Sequence, residues 1–87
     1  MRIAVLSAGA WGTALAIAFS VRNEVALWAR EPEVVDAMRS RRENTRFLPG
    51  HPLPESMRIE ADFEAAVAFA DLLVVATPLA GLRSTLR

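Results

Sequence analysis

The residues best suited to chemistry lie near the start of the chain, where Gly9 and Gly12 flank Ala10 and Trp11 directly after a short apolar run. In a glycine-rich strand-to-helix turn, a residue without a side chain lets the backbone approach a phosphate, and a later glycine lets the helix lie close to its sheet. The backbone N–H groups around Ala10 and Trp11, with the positive end of the helix dipole behind them, would bind the anion. We therefore predict a pyrophosphate site formed by Gly9, Ala10, Trp11 and Gly12.

The dinucleotide-binding motif G-x-G-x-x-G begins with a glycine, and in this chain Ser7 stands at that first position. That glycine serves the tight turn that leaves the strand, and a serine held at positive φ would cost about 1 kcal/mol. The replacement bears on the expected phosphate affinity and leaves the expected fold unchanged.

A second candidate position lies at the end of the next predicted strand, where Arg30 follows Trp28 and Ala29. An NAD-selective site carries an acidic residue here, which binds the ribose 2′-hydroxyl. The planar, always-charged guanidinium of Arg30 is suited instead to a 2′-phosphate and can stack on adenine. Glu31 is either a first-turn helix residue or a competing ligand for the 2′-hydroxyl. The pattern favours NADP over NAD.

The elements that must position these residues alternate between strand and helix. Short apolar runs predict strands, and longer runs with a capping residue or an apolar stripe predict helices. The strands are expected at Arg2–Leu6, Glu24–Ala29, Met57–Ala61 and Leu72–Thr77, and the helices at Gly12–Ser20, from Pro32 to the arginines at 39–42, and from Asp62 to Phe69. This βαβαβαβ alternation predicts an α/β fold with a Rossmann-type parallel sheet, strand order 3-2-1-4 and helices on both faces.

Five more local expectations follow from the same pattern. The helix Gly12–Ser20 has almost no polar face and should be nearly enclosed. Asn23 is suited to the left-handed conformation that ends helices. Three prolines and Gly50 make residues 44–54 irregular, and residues 79–87 resemble the opening of a further helix. The strand Leu72–Thr77 would form an exposed sheet edge, through which we expect the chain to form a homo-oligomer.

Composition excludes several classes of function. The chain has 87 residues, of which 53% are hydrophobic, and its ten basic and ten acidic side chains give no net charge. A nucleic-acid surface is therefore not expected. The absence of cysteine excludes thiolate chemistry and disulfides, and a single histidine argues against a metal site. The glycines that interrupt the uncharged N-terminal run argue against a signal peptide or a membrane span, which indicates a cytoplasmic protein.

Three motifs together resemble a known family. They are Ala8-Gly9-Ala10-Trp11-Gly12-Thr13-Ala14, the segment Asn44-Thr45-Arg46-Phe47-Leu48-Pro49-Gly50, and Ala70-Asp71-Leu72-Leu73-Val74-Val75-Ala76-Thr77-Pro78. In this order and spacing they resemble the start of bacterial NAD(P)-dependent sn-glycerol-3-phosphate dehydrogenase, over nearly the whole chain. The resemblance implies that Ala10 and Trp11 contact the cofactor phosphates, that Arg30 contacts the adenosine 2′ region, and that Phe47 lies near the dinucleotide. It also implies that Thr77 and Pro78 end the fourth strand beside the first, where nucleotides bind.

The resemblance further implies an activity that residues 1–87 do not complete. Members of the family interconvert dihydroxyacetone phosphate and glycerol 3-phosphate by hydride transfer, and so supply phospholipid synthesis. Their catalytic lysines and their helical substrate domain lie beyond the segment that matches here, and this chain contains no lysine. We therefore expect residues 1–87 to be the N-terminal part of a cofactor domain that binds NADP or NAD and is inactive alone. The alternatives are a stand-alone nucleotide-binding or assembly module, or part of a related hydroxyacid or hydroxyacyl dehydrogenase.

Overall fold

A computed structural model describes residues 1–6 and 9–76, and within these the chain alternates between strands and helices. The elements are β1 (Arg2–Leu6), α1 (Ala10–Phe19), β2 (Glu24–Trp28), α2 (Pro32–Arg41), β3 (Glu43–Asn44), β4 (Leu48–Pro52), β5 (Arg58–Glu60), α3 (Phe63–Phe69) and β6 (Leu72–Val74). Four strands form a parallel sheet of order β5-β2-β1-β6. Because β5 and β6 are the third and fourth strands of the predicted set, the expected order is confirmed.

The two faces of the sheet bury side chains of different sizes. Successive strand residues point to opposite faces, so Ile3 and Val5 lie on one side of β1 and Ala4 on the other. The first side packs large apolar residues against α1 and α2, including Val34, Val35 and Met38. The second side is built from three fully buried alanines, Ala4, Ala26 and Ala66, which allow α3 to approach the sheet closely. Helices therefore cover both faces, as the alternation of elements predicts.

Helix α1 differs from its prediction in its start and in its burial. It begins at Ala10, two residues before the predicted start, because Gly9 in an extended conformation serves as the N-cap. Gly12, Thr13 and Ala16 are buried, whereas Ala14 and Ala18 are exposed. The expectation of a nearly enclosed helix is wrong for the described chain. Its outer face is apolar because it is rich in alanine, and no described element covers it.

The turns show which residues adopt special backbone conformations. Among the described non-glycine residues only Arg42 has positive φ, at 51°, so the left-handed residue follows α2 and the expectation for Asn23 is wrong. Asn23 instead bonds through Nδ2 to the carbonyl oxygen of Phe19, at 3.0 Å. The Arg42 guanidinium donates to the carbonyl oxygens of Pro54 and Met57. Arg42 therefore fixes the segment that leads into β5.

The proline-rich segment after α2 is more ordered than its composition suggests. Strands β3 and β4 form a two-stranded antiparallel ribbon with an irregular register at Glu43 and Asn44. Gly50 has φ of 84°, a left-handed conformation that favours glycine. Its N–H donates to the Glu43 carboxylate at 3.1 Å. Pro49 and Pro52 fit in β4 because a two-stranded ribbon has a free edge that needs no N–H donor.

Strand β6 is shorter than predicted and forms one edge of the sheet. It ends at Val74, and Val75 and Ala76 continue the chain outside any strand. Leu72 and Leu73, which point to opposite faces, are 46% and 45% exposed. The exposed edge is confirmed: the described chain covers Leu72 and Leu73 only in part, whereas Val74 packs against the core. The strand was predicted to end at Thr77, and a further helix was predicted to open within residues 79–87. Both of these positions lie outside the described residues.

Candidate functional site

The sheet brings the predicted phosphate-binding turn and Arg30 to one edge. In the parallel ladders Leu6 pairs with Trp28, and Val5 pairs with Val74, so the carboxyl ends of the strands lie side by side. Helix α1 begins just after β1, and Arg30 follows β2 directly. Ligands of open α/β sheets bind at this carboxyl edge, close to where the strand order reverses. Here that reversal lies between β1 and β6.

The N-terminus of α1 differs electrostatically from those of the other two described helices. Its first turn contains no acidic residue, and its N-cap residue, Gly9, has no side chain to accept from the first N–H groups. Helix α3 is capped by its own Asp62, whose carboxylate accepts from the Glu64 N–H at 2.9 Å. Helix α2 carries Glu31 at the N-cap and Glu33 in its first turn. Among the described helices, α1 alone has no acidic residue at its N-cap or in its first turn, which suits an external anion.

Glycine at position 9 is not demanded by the backbone. Gly9 has φ of −67° and ψ of 175°, an extended conformation that any residue can adopt. Backbone strain therefore does not account for this glycine, whereas the close approach of a phosphate to the turn would.

Two predicted contact residues present their side chains to solvent at this edge. Trp11, in the first turn of α1, is 69% exposed, which is unusual for the largest apolar side chain of a small protein. Arg30 is also exposed, between the end of β2 and the N-cap of α2. An exposed indole and guanidinium are available to contact the bases or phosphates of a nucleotide.

A buried hydrogen bond connects α1 to the ribbon. Thr13 and Asn44 are 0% and 1% exposed, and the Asn44 Nδ2 donates to the Thr13 Oγ1 at 2.8 Å. The Oδ1 of Asn44 accepts from the Phe47 N–H at 3.2 Å. Phe47, 38% exposed, is thereby held close to the first turns of α1.

Sequence reasoning did not single out Thr13 or Asn44 as site residues. Both lie inside the quoted motifs, so the signal was present, but their types alone do not reveal a contact across 31 positions. The remaining predicted site residues, Thr77 and Pro78, and the substituted turn position Ser7 lie outside the described residues.

An open pocket of about 190 Å³ lies at the opposite, amino-terminal edge of the sheet. Its lining includes Arg2, Glu24, Arg58 and Phe69. The Arg2 Nε lies 3.2 Å from the Glu24 Oε2, and the Arg58 Nη2 lies 3.7 Å from the Glu60 Oε2. Both cations therefore already have a carboxylate neighbour, which reduces their attraction for an external anion.

A four-stranded parallel sheet of this order, with a glycine-capped helix at its carboxyl edge, defines a Rossmann-type α/β protein. The family model described as the N-terminus of NAD-dependent glycerol-3-phosphate dehydrogenase matches residues 2–87, and the chain belongs to this family.

Individual relatives agree with the family match. The glycerol-3-phosphate dehydrogenase [NAD(P)+] of Dechloromonas aromatica is 61% identical over 85 residues, which are 98% of this chain and 26% of the relative. The glycerol-3-phosphate dehydrogenase structure from Coxiella burnetii matches 85% of this chain and 23% of its own, with 36% identity and a TM-score of 0.80. The enzyme structure from Plasmodium falciparum matches 99% of this chain and 27% of its own, with 32% identity and a TM-score of 0.83.

These matches cover only part of each relative, since the chain spans 26% of the length of the Dechloromonas protein.

Within residues 1–6 and 9–76, no helix is long and apolar enough to cross a membrane.

Proposed function

We propose that this chain is the dinucleotide-binding segment of an NAD(P)-dependent glycerol-3-phosphate dehydrogenase. The observation that carries the proposal is the N-terminus of α1, which begins at a glycine N-cap and has no acidic residue in its first turn. It lies at the carboxyl edge of the sheet, and the chain belongs to the family of NAD-dependent glycerol-3-phosphate dehydrogenase N-termini. The geometry and the charge both fit the pyrophosphate of a dinucleotide.

Each proposed contact has a definite chemical role. The N–H groups of Ala10, Trp11 and Gly12 bind the pyrophosphate, while Gly9 leaves room for it. The exposed Trp11 ring covers the bound dinucleotide, and Phe47 contacts it from the ribbon. Thr77 and Pro78 are further proposed contacts, from the sequence alone.

Arg30 gives the site a preference for NADP over NAD. The position after β2 holds a guanidinium, and such a group binds a 2′-phosphate by paired, charge-assisted hydrogen bonds. Glu31 is the N-cap residue of α2 and is half-buried, without a side-chain capping bond. Its carboxylate is the competing group for a 2′-hydroxyl. The names of the relatives carry NAD(P)+, which allows either cofactor.

The reaction of the complete enzyme is proposed from the same family membership. In the complete enzyme a bound nicotinamide would supply the hydride that reduces dihydroxyacetone phosphate to glycerol 3-phosphate, a precursor of phospholipids. This chain binds and orients the cofactor and contains no lysine to polarise the substrate carbonyl. Residues 1–87 alone are therefore inactive. The complete protein is proposed to act in the cytoplasm, on a small molecule rather than on nucleic acid.

A second candidate function, an assembly module, is favoured by β6. Leu72 and Leu73 are partly exposed on opposite faces of an edge strand, and Val75 beyond it is 54% exposed. The outer edge of this strand pairs with no strand of residues 1–6 and 9–76. Exposed apolar edges of this kind recruit other strands. We propose that residues 1–87 associate with a second copy through this edge.

A chimera tests the proposed function. Residues 1–87 replace the matching N-terminal segment of the Dechloromonas relative, and NADPH oxidation is followed with and without dihydroxyacetone phosphate. The proposal predicts that the chimera oxidises NADPH only when dihydroxyacetone phosphate is present. Residues 1–87 alone should not oxidise NADPH under either condition. A folded chimera that binds no dinucleotide would contradict it. A chimera that binds a dinucleotide but does not oxidise NADPH when dihydroxyacetone phosphate is added would favour a stand-alone nucleotide-binding module.

A further inference from the structure

The described chain buries two polar side chains almost completely, and they are bonded to each other. Thr13 and Asn44 are the buried polar residues of residues 1–6 and 9–76, and 2.8 Å separates the Thr13 Oγ1 from the Asn44 Nδ2. Burying polar groups without partners is costly, so such a pair specifies one arrangement of the elements that carry it. Here those elements are the second turn of α1 and the start of the ribbon.

Asn44 also continues this connection to an aromatic ring. Its Oδ1 accepts from the Phe47 N–H at 3.2 Å, which closes the turn between β3 and β4. The backbone that carries the Phe47 ring is thereby tied, through one side chain, to the helix whose N-terminus is the proposed pyrophosphate site. Phe47 remains 38% exposed, so its ring is available to a ligand.

The far side of the turn is tied to α2. The Arg46 guanidinium lies over the Phe47 ring, 5.1 Å from its centroid, and its Nη1 lies 3.5 Å from the Glu33 Oε1. Both groups of this ion pair are largely exposed, so the contact is weak. The buried Thr13–Asn44 bond is therefore the stronger determinant of where the turn sits.

We propose that Asn44 is a positioning residue, which sets the Phe47 ring relative to the first turn of α1 and thereby strengthens dinucleotide binding. The inference rests on the proposed function, because it assigns Phe47 a contact with the dinucleotide. A purely structural Asn44 would stabilise the fold and influence affinity independently of the Phe47 ring. The two roles predict different NADPH affinities when substitutions of Asn44 and Phe47 are combined.

A double-mutant cycle separates them. The dissociation constant for NADPH is measured by calorimetry for the unmodified chain, Asn44→Leu, Phe47→Leu and the double variant, each corrected for its folded fraction. Positioning predicts that Asn44→Leu weakens binding about tenfold when Phe47 is present and causes no further loss in the Phe47→Leu background. Equal losses in both backgrounds would overturn the proposal.

Thr13→Val provides a second route if Asn44→Leu does not fold. Valine matches the shape of threonine and removes the hydroxyl that accepts from Asn44, while Thr13→Ser keeps the hydroxyl. We expect Thr13→Val to weaken NADPH binding only when Phe47 is present, and Thr13→Ser to retain at least half of the affinity. A loss for Thr13→Val that persists in the Phe47→Leu background would contradict the inference.

A measurement without ligand keeps this inference separate from the proposed function. Hydrogen exchange of the Phe47 amide reports whether α1 holds the turn through Asn44. We expect exchange to accelerate about tenfold in Thr13→Val and to stay near its original rate in Thr13→Ser. Unchanged exchange in Thr13→Val would overturn the positioning role, whereas failure of the unmodified chain to bind NADPH or NADH would overturn the proposed function.

Discussion

Asp71 and Arg2 exchange two hydrogen bonds at the amino-terminal edge of the sheet. The Asp71 N–H donates to the carbonyl oxygen of Arg2 at 2.7 Å, and the Arg2 N–H donates to the Asp71 Oδ2 at 3.0 Å. These bonds precede the first ladder pair, Ile3 with Leu72. They therefore set the register in which the edge strand β6 joins β1, and so where its carboxyl end meets the proposed site.

Removing the Asp71 carboxylate should loosen this edge. We expect Asp71→Ala to lower the free energy of unfolding by about 1 kcal/mol, because the Arg2 N–H loses its acceptor. Asp71→Asn keeps an oxygen that can accept and should lose less than half as much. Urea denaturation of the three proteins measures the difference. Equal stability of Asp71→Ala and the unmodified chain would show that the ladder alone sets the register.

A charge on β6 should reduce self-association. Leu73 is 45% exposed on the edge strand, and Leu73→Lys places a cation where a second strand would pack. The matched control is Val21→Lys, since Val21 is 80% exposed in the turn between α1 and β2. Sedimentation equilibrium should show weaker association for Leu73→Lys and no change for Val21→Lys. A monomeric unmodified chain at high concentration would contradict assembly through this edge.

Arg30 should determine the choice between the two dinucleotides. Arg30→Ala is expected to weaken NADPH binding at least tenfold and NADH binding less than threefold, because only NADPH carries the 2′-phosphate. Arg22 is an exposed arginine before β2, at the other end of the same strand, and Arg22→Ala is the control. Parallel titrations of both dinucleotides measure the ratio. Equal losses for NADPH and NADH in Arg30→Ala would remove the basis for NADP preference.

The alanine face of the sheet should tolerate no larger side chain. Ala66 is 0% exposed against Ala4 and Ala26, so Ala66→Leu should destabilise the chain by about 1–3 kcal/mol through overpacking. Ala68 lies in the same helix but is exposed, and Ala68→Leu should change stability by less than 0.5 kcal/mol. Thermal unfolding of the pair tests this difference. Similar stabilities would mean that α3 can move away from the sheet.

The fold was predictable because its signals are local and agree with one another. The apolar run of β1 and the alternation of elements are sufficient for the parallel order, since right-handed crossovers leave few topologies. Pro32 at the start of α2 and Asp62 at the start of α3 were identified from residue type, as capping chemistry allows. The confirmed strand order follows from these features without any knowledge of side-chain contacts.

The structure differs from the sequence predictions at positions where tertiary context outweighs residue type. Arg42 adopts the left-handed conformation that asparagine more often takes, and its side chain bonds to the carbonyl oxygens of Pro54 and Met57. Helix α1 was expected to be enclosed from its composition, but the described chain covers one face only. Composition reports how apolar a helix is and does not report whether another layer exists to cover it.

The candidate site was predictable only in part for a related reason. The glycines and Arg30 carry their chemistry in their own residue type, whereas the role of Asn44 depends on a partner 31 positions away. The ribbon that places it was expected to be irregular, because prolines argue against a central strand. They do not argue against a two-stranded ribbon with a free edge.

We expect the N-terminus of α1 to bind a dinucleotide pyrophosphate over Gly9. Calorimetric titration of NADPH into the unmodified chain and into Gly9→Val tests it most directly, with circular dichroism as the check of folding. Because Gly9 has φ of −67°, valine is compatible with the backbone dihedral angles there, and we expect its side chain to obstruct the phosphate. We predict saturable one-to-one binding that Gly9→Val weakens at least tenfold while the helical signal is kept. Absent binding in the unmodified chain, or equal affinity in the two proteins, would contradict the account.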